Sequence, residues 1–182
     1  DAAVKTKTAY VVGTTCLDQK IKSALLKNSK KIPIVQSPNM SIGVNLLFKL
    51  TEITAKTLDE SYDIEISEIH HRMKKDSPSG TAVKLLEVAA AARGKDLKKD
   101  VVYGREGEVG ARRRGEIGVL ALRGGDVVGD HTVYFLAEGE RLELSHRASS
   151  RECFAGGALR ASKFIAKKRT GFFNMQQVLG LA

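Results

Sequence analysis

The sequence predicts an α/β protein in two parts: a parallel β/α portion, and an α+β portion with a mixed sheet of about four strands. Three observations carry this. Two short apolar runs, 8–12 and 32–36, each pass through a polar turn into a helical stretch, the pattern of consecutive βα units. The middle of the chain holds several alternating strand patterns in succession, with one helix near their start. Helical periodicity returns after Ser149, so the last segment is placed to pack back on the first, parallel part.

The first strand ends in Gly13-Thr14-Thr15, and residues 17–28 follow as a helix. The second ends in Ser37-Pro38-Asn39-Met40. A helix then starts at about Ser41, a suitable N-cap, and carries Leu46, Leu47, Leu50 and Ile53. Parallel strands of this kind bring their polar turns together at the carboxyl ends, where ligand crevices form. Taken singly, each turn also reads as ordinary turn chemistry. No G-x-G-x-x-G follows either strand, so a dinucleotide fingerprint is absent from these residues.

Residues 62–67 alternate, with Ile64 and Ile66 on one face and Asp63, Glu65 and Ser67 on the other. The strand runs into Glu68, His70 and His71, then through Arg72, Lys74 and Lys75 to Ser79-Gly80-Thr81. Residues 82–93 are dense in helix formers and stop at Gly94, a good C′ residue. The N–H groups of Ser79, Gly80 and Thr81 therefore open a helix, where anions bind, and the cationic side chains add positive charge nearby. Histidine titrates near neutral pH. The stretch reads as an anion site equipped with a proton donor. Lys75 reads as a solvated charge, His131 and His146 as hydrogen-bonded strand residues. Glu68 and His70 lack a third ligand for a metal.

Further on, 101–103 is a short strand, and the loop 108–115, with Arg112, Arg113 and Arg114, reads as solvated. Residues 116–122 and 126–136 flank Arg123-Gly124-Gly125-Asp126, a hairpin signal, and 140–146 pairs back through Glu138-Gly139. An open sheet has edges to cover, so assembly through it is expected. A helix through Cys153, Phe164 and Ile165 follows, and Phe172-Phe173-Asn174 leads into a last amphipathic turn.

A net charge of +9 raises nucleic acid as a partner, but aromatics are 5%, tryptophan is absent, and the cations are scattered. No apolar run reaches the roughly 18 residues of a membrane span. Cys16 and Cys153 are far apart without CxxC spacing, which fits a reducing cytoplasm. Neither a nucleic-acid nor a membrane partner is expected; a basic nucleic-acid binder stays as the weakest reading, and a basic enzyme for small acidic substrates explains the charge as well.

The run E-I-H-H-R-M-K-K-D-S-P-S-G-T-A, residues 68–82, resembles the signature E-x-H-H-x-x-K-x-D-x-P-S-G-T-A of the dihydrodipicolinate reductase family. These are the 4-hydroxy-tetrahydrodipicolinate reductases of the diaminopimelate route to lysine. Gly13-Thr14-Thr15 and segments 37–45, 103–107, 115–118, 123–131, 140–146 and 148–151 also resemble family blocks in order, so the resemblance covers essentially the whole chain. It implies a partial Rossmann-type dinucleotide-binding domain, 1–40 and 151–182, with an α+β substrate-binding and oligomerisation domain, 41–150, inserted. It implies reduction of 4-hydroxy-tetrahydrodipicolinate to tetrahydrodipicolinate with NADPH or NADH, in a homotetramer. His70 matches the catalytic proton donor and Lys74 its partner. His71, Gly80 and Thr81 match contacts to the dicarboxylate substrate. Gly13, Thr14, Thr15, Ser37, Pro38, Asn39 and Met40 match the cofactor loops.

Cys16 stands where the family has glycine and Met40 where phenylalanine is common. The family's glycine fingerprint, and the residue choosing NADH or NADPH, lie ahead of the matched part. The expectation is a chain entered partway through its nucleotide-binding domain, with little reductase activity if the molecule begins at Asp1. The alternative is an inactive fragment that retains substrate-domain binding and oligomer contacts.

Overall fold

The computed structural model of the protein describes residues 2–14 and 17–182. In chain order the elements are α1 (Ala2–Lys5), β1 (Tyr10–Val12), α2 (Gln19–Asn28), β2 (Pro33–Gln36), α3 (Ile42–Thr57), β3 (Asp63–His70), α4 (Gly80–Arg93), β4 (Val101–Tyr103), β5 (Ile117–Arg123), β6 (Gly129–Leu136), β7 (Arg141–Ala148), α5 (Glu152–Ile165), β8 (Gly171–Phe173) and α6 (Met175–Leu179). They form two compact units, Asp1–Leu46 with Arg151–Ala182 and Leu47–Ser150, so the first division falls inside α3 rather than ahead of it.

In the first unit β2 is the centre of a parallel sheet ordered β1-β2-β8. Its residues Pro33, Ile34 and Val35 are all buried, as a parallel strand covered on both faces requires. Neighbours on a strand point to opposite faces. Ile34 accordingly joins Leu25 and Ile32 on the α2 side. Val35 joins Met40, Ala161, Ile165, Met175 and Val178 on the side of α5 and α6. The segment expected only to lead into the final turn is a strand, β8, bonded to β2. Three residues are too few for a period to register, and the pairing partner decides. α6 then starts in a capping box between Asn174 and Gln177.

In the second unit the sheet is mixed, as expected, but has five strands, ordered β4-β5-β3-β6-β7. β3 runs parallel to β5 and antiparallel to β6. The segment Arg123–Asp126 is therefore not a hairpin: its two flanking strands do not pair with each other but lie on either side of β3. The turn instead braces the end of β3, where Gly124 N–H donates to His70 O (3.0 Å), His71 N–H to Val127 O (2.8 Å) and Arg72 N–H to Gly125 O (3.2 Å). The hairpin between β6 and β7 forms where the sequence placed it.

Every even position of β3, from Ile64 to His70, is buried. Ile64 and Ile66 share a core with Ile117, Val119, Val133 and Phe135, and α4 covers it with Ala82, Leu85, Leu86, Ala89 and Ala90. Arg112 departs from expectation. Its side chain is 20% exposed and pairs with Asp63 and Glu65, and it also donates to the carbonyls of Ile64 and Glu116. Arg105 holds the other side of Glu65. Gly118 leaves room for that carboxylate, since a Cβ there would overlap it. No helix among the described residues is long and apolar enough to cross a membrane.

Candidate functional site

The centre of the site follows from the alternation of β3. The pattern that buries Ile64 and Ile66 carries on to Glu68 and His70, so two ionisable side chains occupy positions where the strand elsewhere places apolar ones. Glu68 is fully buried and His70 is 8% exposed. The Glu68 carboxylate is surrounded by donors. Arg123, at the end of β5, reaches it with both terminal nitrogens at 2.8 Å, Ser79 N–H donates at 3.0 Å, and His70 Nδ1 lies at 2.5 Å. Burial works against the charge on Glu68, but Arg123, His70 and Ser79 outweigh it and hold the carboxyl below its ordinary value.

Burial also dominates at His70, lowering its pKa below the usual histidine value although Glu68 pulls the other way. His131 on β6 stands edge-on to His70 with ring centroids 5.1 Å apart. Burial, reinforced by His70, depresses His131 to about 3, so its ring is neutral at physiological pH. His131 Nε2 is bonded to Ser79 Oγ at 3.0 Å, and its buried Nδ1 has no partner among the described residues.

Ser79 is the N-cap of α4, its Oγ taking the N–H of Ala82. Ser79 N–H and Ala82 N–H are bonded inside the fold, and Gly80 and Thr81, which complete the first turn, are both more exposed than Ser79. Lys74 lies in the connection between β3 and α4, pairs with Asp76 at 2.9 Å, and is near enough for its charge to act on His70. His71 is half-buried and its N–H is tied to Val127. The structure thus gathers His70, Lys74, His71, Gly80 and Thr81 along one strand-to-helix connection. Sequence reasoning missed Arg123 and His131 as parts of it, and it gave Ser79 N–H to an anion where the structure gives it to Glu68. The available signal was Glu68, a charge at a position where the alternation demands an apolar side chain.

The other predicted residues lie in the first unit. Gly13 and Thr14 follow β1, and Ser37 to Met40 follow β2; Ser37 N–H donates to Val12 O at 3.1 Å and joins the two turns. The second turn is internally bonded: Ser37 Oγ donates to Asn39 O and Asn45 Nδ2 to the same oxygen, both at 2.8 Å. Met40 is a core residue, 5% exposed, that supports the loop from beneath. Its side chain packs against Gly13, where a Cβ would come within 3.1 Å of Cγ. Thr15 and Cys16 lie outside the described residues. Two polar turns at the carboxyl ends of adjacent parallel strands have the form of a nucleotide crevice. Among the described residues no cluster of three or more His, Cys, Asp or Glu forms that would hold a metal ion.

Comparison with known proteins finds relatives for nearly the whole chain. A family profile described as dihydrodipicolinate reductase, C-terminus, matches residues 43–179, and one described as dihydrodipicolinate reductase, N-terminus, matches residues 1–40. The chain is 57% identical over 171 residues to the 4-hydroxy-tetrahydrodipicolinate reductase of Nitrosospira multiformis, covering 94% of this chain and 64% of that protein. It is 57% identical over 176 residues to the enzyme of that name from Aquifex aeolicus, covering 96% and 65%. The chain therefore spans somewhat less than two thirds of the length of these relatives. A solved structure of dipicolinate-bound dihydrodipicolinate reductase from Paenisporosarcina shares the fold, with a TM-score of 0.72 at 24% identity over 96% of this chain and 66% of that one.

Proposed function

This chain belongs to the dihydrodipicolinate reductase family, and we propose on that premise that it serves the NAD(P)H-dependent reduction of 4-hydroxy-tetrahydrodipicolinate to tetrahydrodipicolinate in lysine biosynthesis. One reduced cofactor and one proton are consumed per substrate, and water is lost. The observation that carries the proposal is His70, backed by a buried carboxylate and set beside the start of α4.

The proposed division of labour follows from chemistry. Gly80 and Thr81 hold one carboxylate of the substrate by the helix-start N–H groups, and Lys74 attracts the anionic ligand. His71 adds a contact. His70 delivers the proton to the ring. Its lowered pKa makes it a willing donor, and an anion bound beside it would favour the charged form that the transfer requires. The dipicolinate held by the Paenisporosarcina relative is a cyclic dicarboxylate, the ligand class proposed here.

Gly13, Thr14, Thr15, Ser37, Pro38, Asn39 and Met40 would hold the nicotinamide end of NADPH or NADH. The paired turns after β1 and β2 fit that group, and the cofactor supplies the hydride. We place the protein in the cytoplasm as a homotetramer. Support for assembly through the second unit's sheet comes from Leu120, Leu122 and Tyr103, large apolar side chains 53%, 42% and 61% exposed.

The test has two arms. Calorimetry should detect dipicolinate binding that His71→Ala and Gly80→Pro weaken, the latter by deleting a first-turn N–H at the helix position that tolerates proline, and the cyclic substrate should drive loss of reduced-nicotinamide absorbance. A protein that binds both ligands yet never oxidises the cofactor would refute the reductase reading. Failure to bind the dicarboxylate would remove the site.

A further inference from the structure

We propose that Glu68 is a positioning residue of this site: its carboxylate locks His70 in the form that carries hydrogen on Nδ1, which makes Nε2 the nitrogen that gives up the proton. The role of that proton rests on the reductase reading above; the tautomer does not.

The argument begins from an anomaly. A fully buried carboxylate is costly unless donors surround it, and position 68 lies in the row that β3 otherwise gives to Ile64 and Ile66. Glu68 has four donors. Oε2 receives one Arg123 nitrogen at 2.8 Å and faces His70 Nδ1 at 2.5 Å. Oε1 receives the other Arg123 nitrogen at 2.8 Å and the Ser79 N–H at 3.0 Å. A carboxylate only accepts. Nδ1 must therefore be the donor, and in the neutral ring Nε2 is bare.

The surroundings of Nε2 agree. It faces Gly129 on β6, where a Cβ would stand only 2.9 Å away, so the missing side chain leaves that nitrogen its space. The charged and titratable groups that act on His70 are Glu68 on β3, Arg123 on β5, His131 on β6 and Lys74 in the following loop. Arg123 and Lys74 oppose a charge on the ring; Glu68 alone among them favours it. Glu68 also ties the ring to the start of α4 through Ser79, so one carboxylate sets both the donor's tautomer and its place relative to Gly80 and Thr81.

A purely structural Glu68 would staple β3, β5 and α4 together and leave the protonation of His70 indifferent to it. Histidine ¹⁵N spectra of the intact chain separate the two. In the wild type at high pH, His70 should show a protonated Nδ1 and an unprotonated Nε2. The reverse tautomer would overturn the proposal without any mutation being made. In Glu68→Gln, which offers one acceptor oxygen in place of two, the tautomer should become mixed and His70 should titrate at lower pH than in the wild type. Dipicolinate affinity should fall roughly tenfold or more, as expected for losing a hydrogen bond to a charged group. A folded Glu68→Gln with wild-type titration and affinity would overturn the positioning role. An Nδ1–H tautomer in a protein that fails to oxidise reduced nicotinamide would spare this inference and refute the reductase reading instead.

Discussion

Replacing Gly129 with alanine tests how rigidly the proton donor is held. The added methyl would lie 2.9 Å from His70 Nε2, 3.4 Å from its Cδ2 and 3.6 Å from His131 Cε1. Ordinary contact between such atoms begins at about 3.5 Å, so the His70 ring would have to withdraw by roughly half an ångström. It has little freedom to do so. Nδ1 is held at 2.5 Å by Glu68, Glu68 is itself fixed by Arg123 and Ser79, and His131 stands against the ring. Alanine in a strand gains about 0.5–1 kcal/mol over glycine from chain entropy. Overpacking costs about 1–3 kcal/mol. The net expectation is a loss of stability of about 1 kcal/mol, within a range of about 0–2.5 kcal/mol, together with a His70 titration displaced from wild type. In a fully active enzyme, turnover should fall on the order of 10- to 100-fold through misplacement of the donor. Urea unfolding, histidine NMR and nicotinamide oxidation read the three quantities. A Gly129→Ala protein as stable as wild type, with unchanged His70 titration, would show that the ring is not confined and refute the reasoning.

Dicarboxylate binding should take up a proton: burial keeps free His70 mostly neutral near pH 7, and a bound anion favours the charged ring. Dipicolinate affinity should then fall as pH rises, by at most about tenfold per pH unit, and calorimetry in buffers of different ionisation enthalpy should report the uptake; proton-neutral binding would contradict it. Lys74→Ala should lower turnover by about 10²-fold or more while costing less than about 1 kcal/mol of stability, because its partner Asp76 is 62% exposed. Unchanged kinetics would remove Lys74 from the mechanism. His131 predicts the acid limit of the fold. Its folded pKa of about 3 lies below the unfolded value, so the folded protein binds fewer protons between those two pH values, and stability is lost as pH falls from about 6.5 toward 3. The loss should reach about 2 kcal/mol by about pH 5. Urea midpoints that stay level over that range, or that fall equally in His131→Asn, would show that another group sets the limit.

Much of the site was legible in the sequence because it lies on one continuous stretch. Alternation placed Ile64 and Ile66 on one face of a strand that ends at the histidines; the structure extends that face to Glu68 and His70. Helix formers followed by Gly94 marked α4, and a helix start is an anion site wherever it occurs. What lay outside this stretch was not legible. Arg123 sits at the end of β5 and His131 on β6, and both enter the site only through pairing with β3.

Local patterning by itself therefore determined where most strands and helices lie and which side chains share a face, and it is the ground for proposing an anion site with an acid at one strand-to-helix turn. Only the tertiary structure decided the order of the strands. The Arg123–Asp126 segment has the turn chemistry of a hairpin, yet β3 lies between its flanking strands, because pairing is a choice among ladders distant in sequence that no local preference encodes. The same choice turned Arg112 from a solvated side chain into a clasp on β3. It also gave Glu68 the donors that let a charge remain buried. The anion site of the sequence became, through those contacts, a histidine whose proton is held at a defined atom.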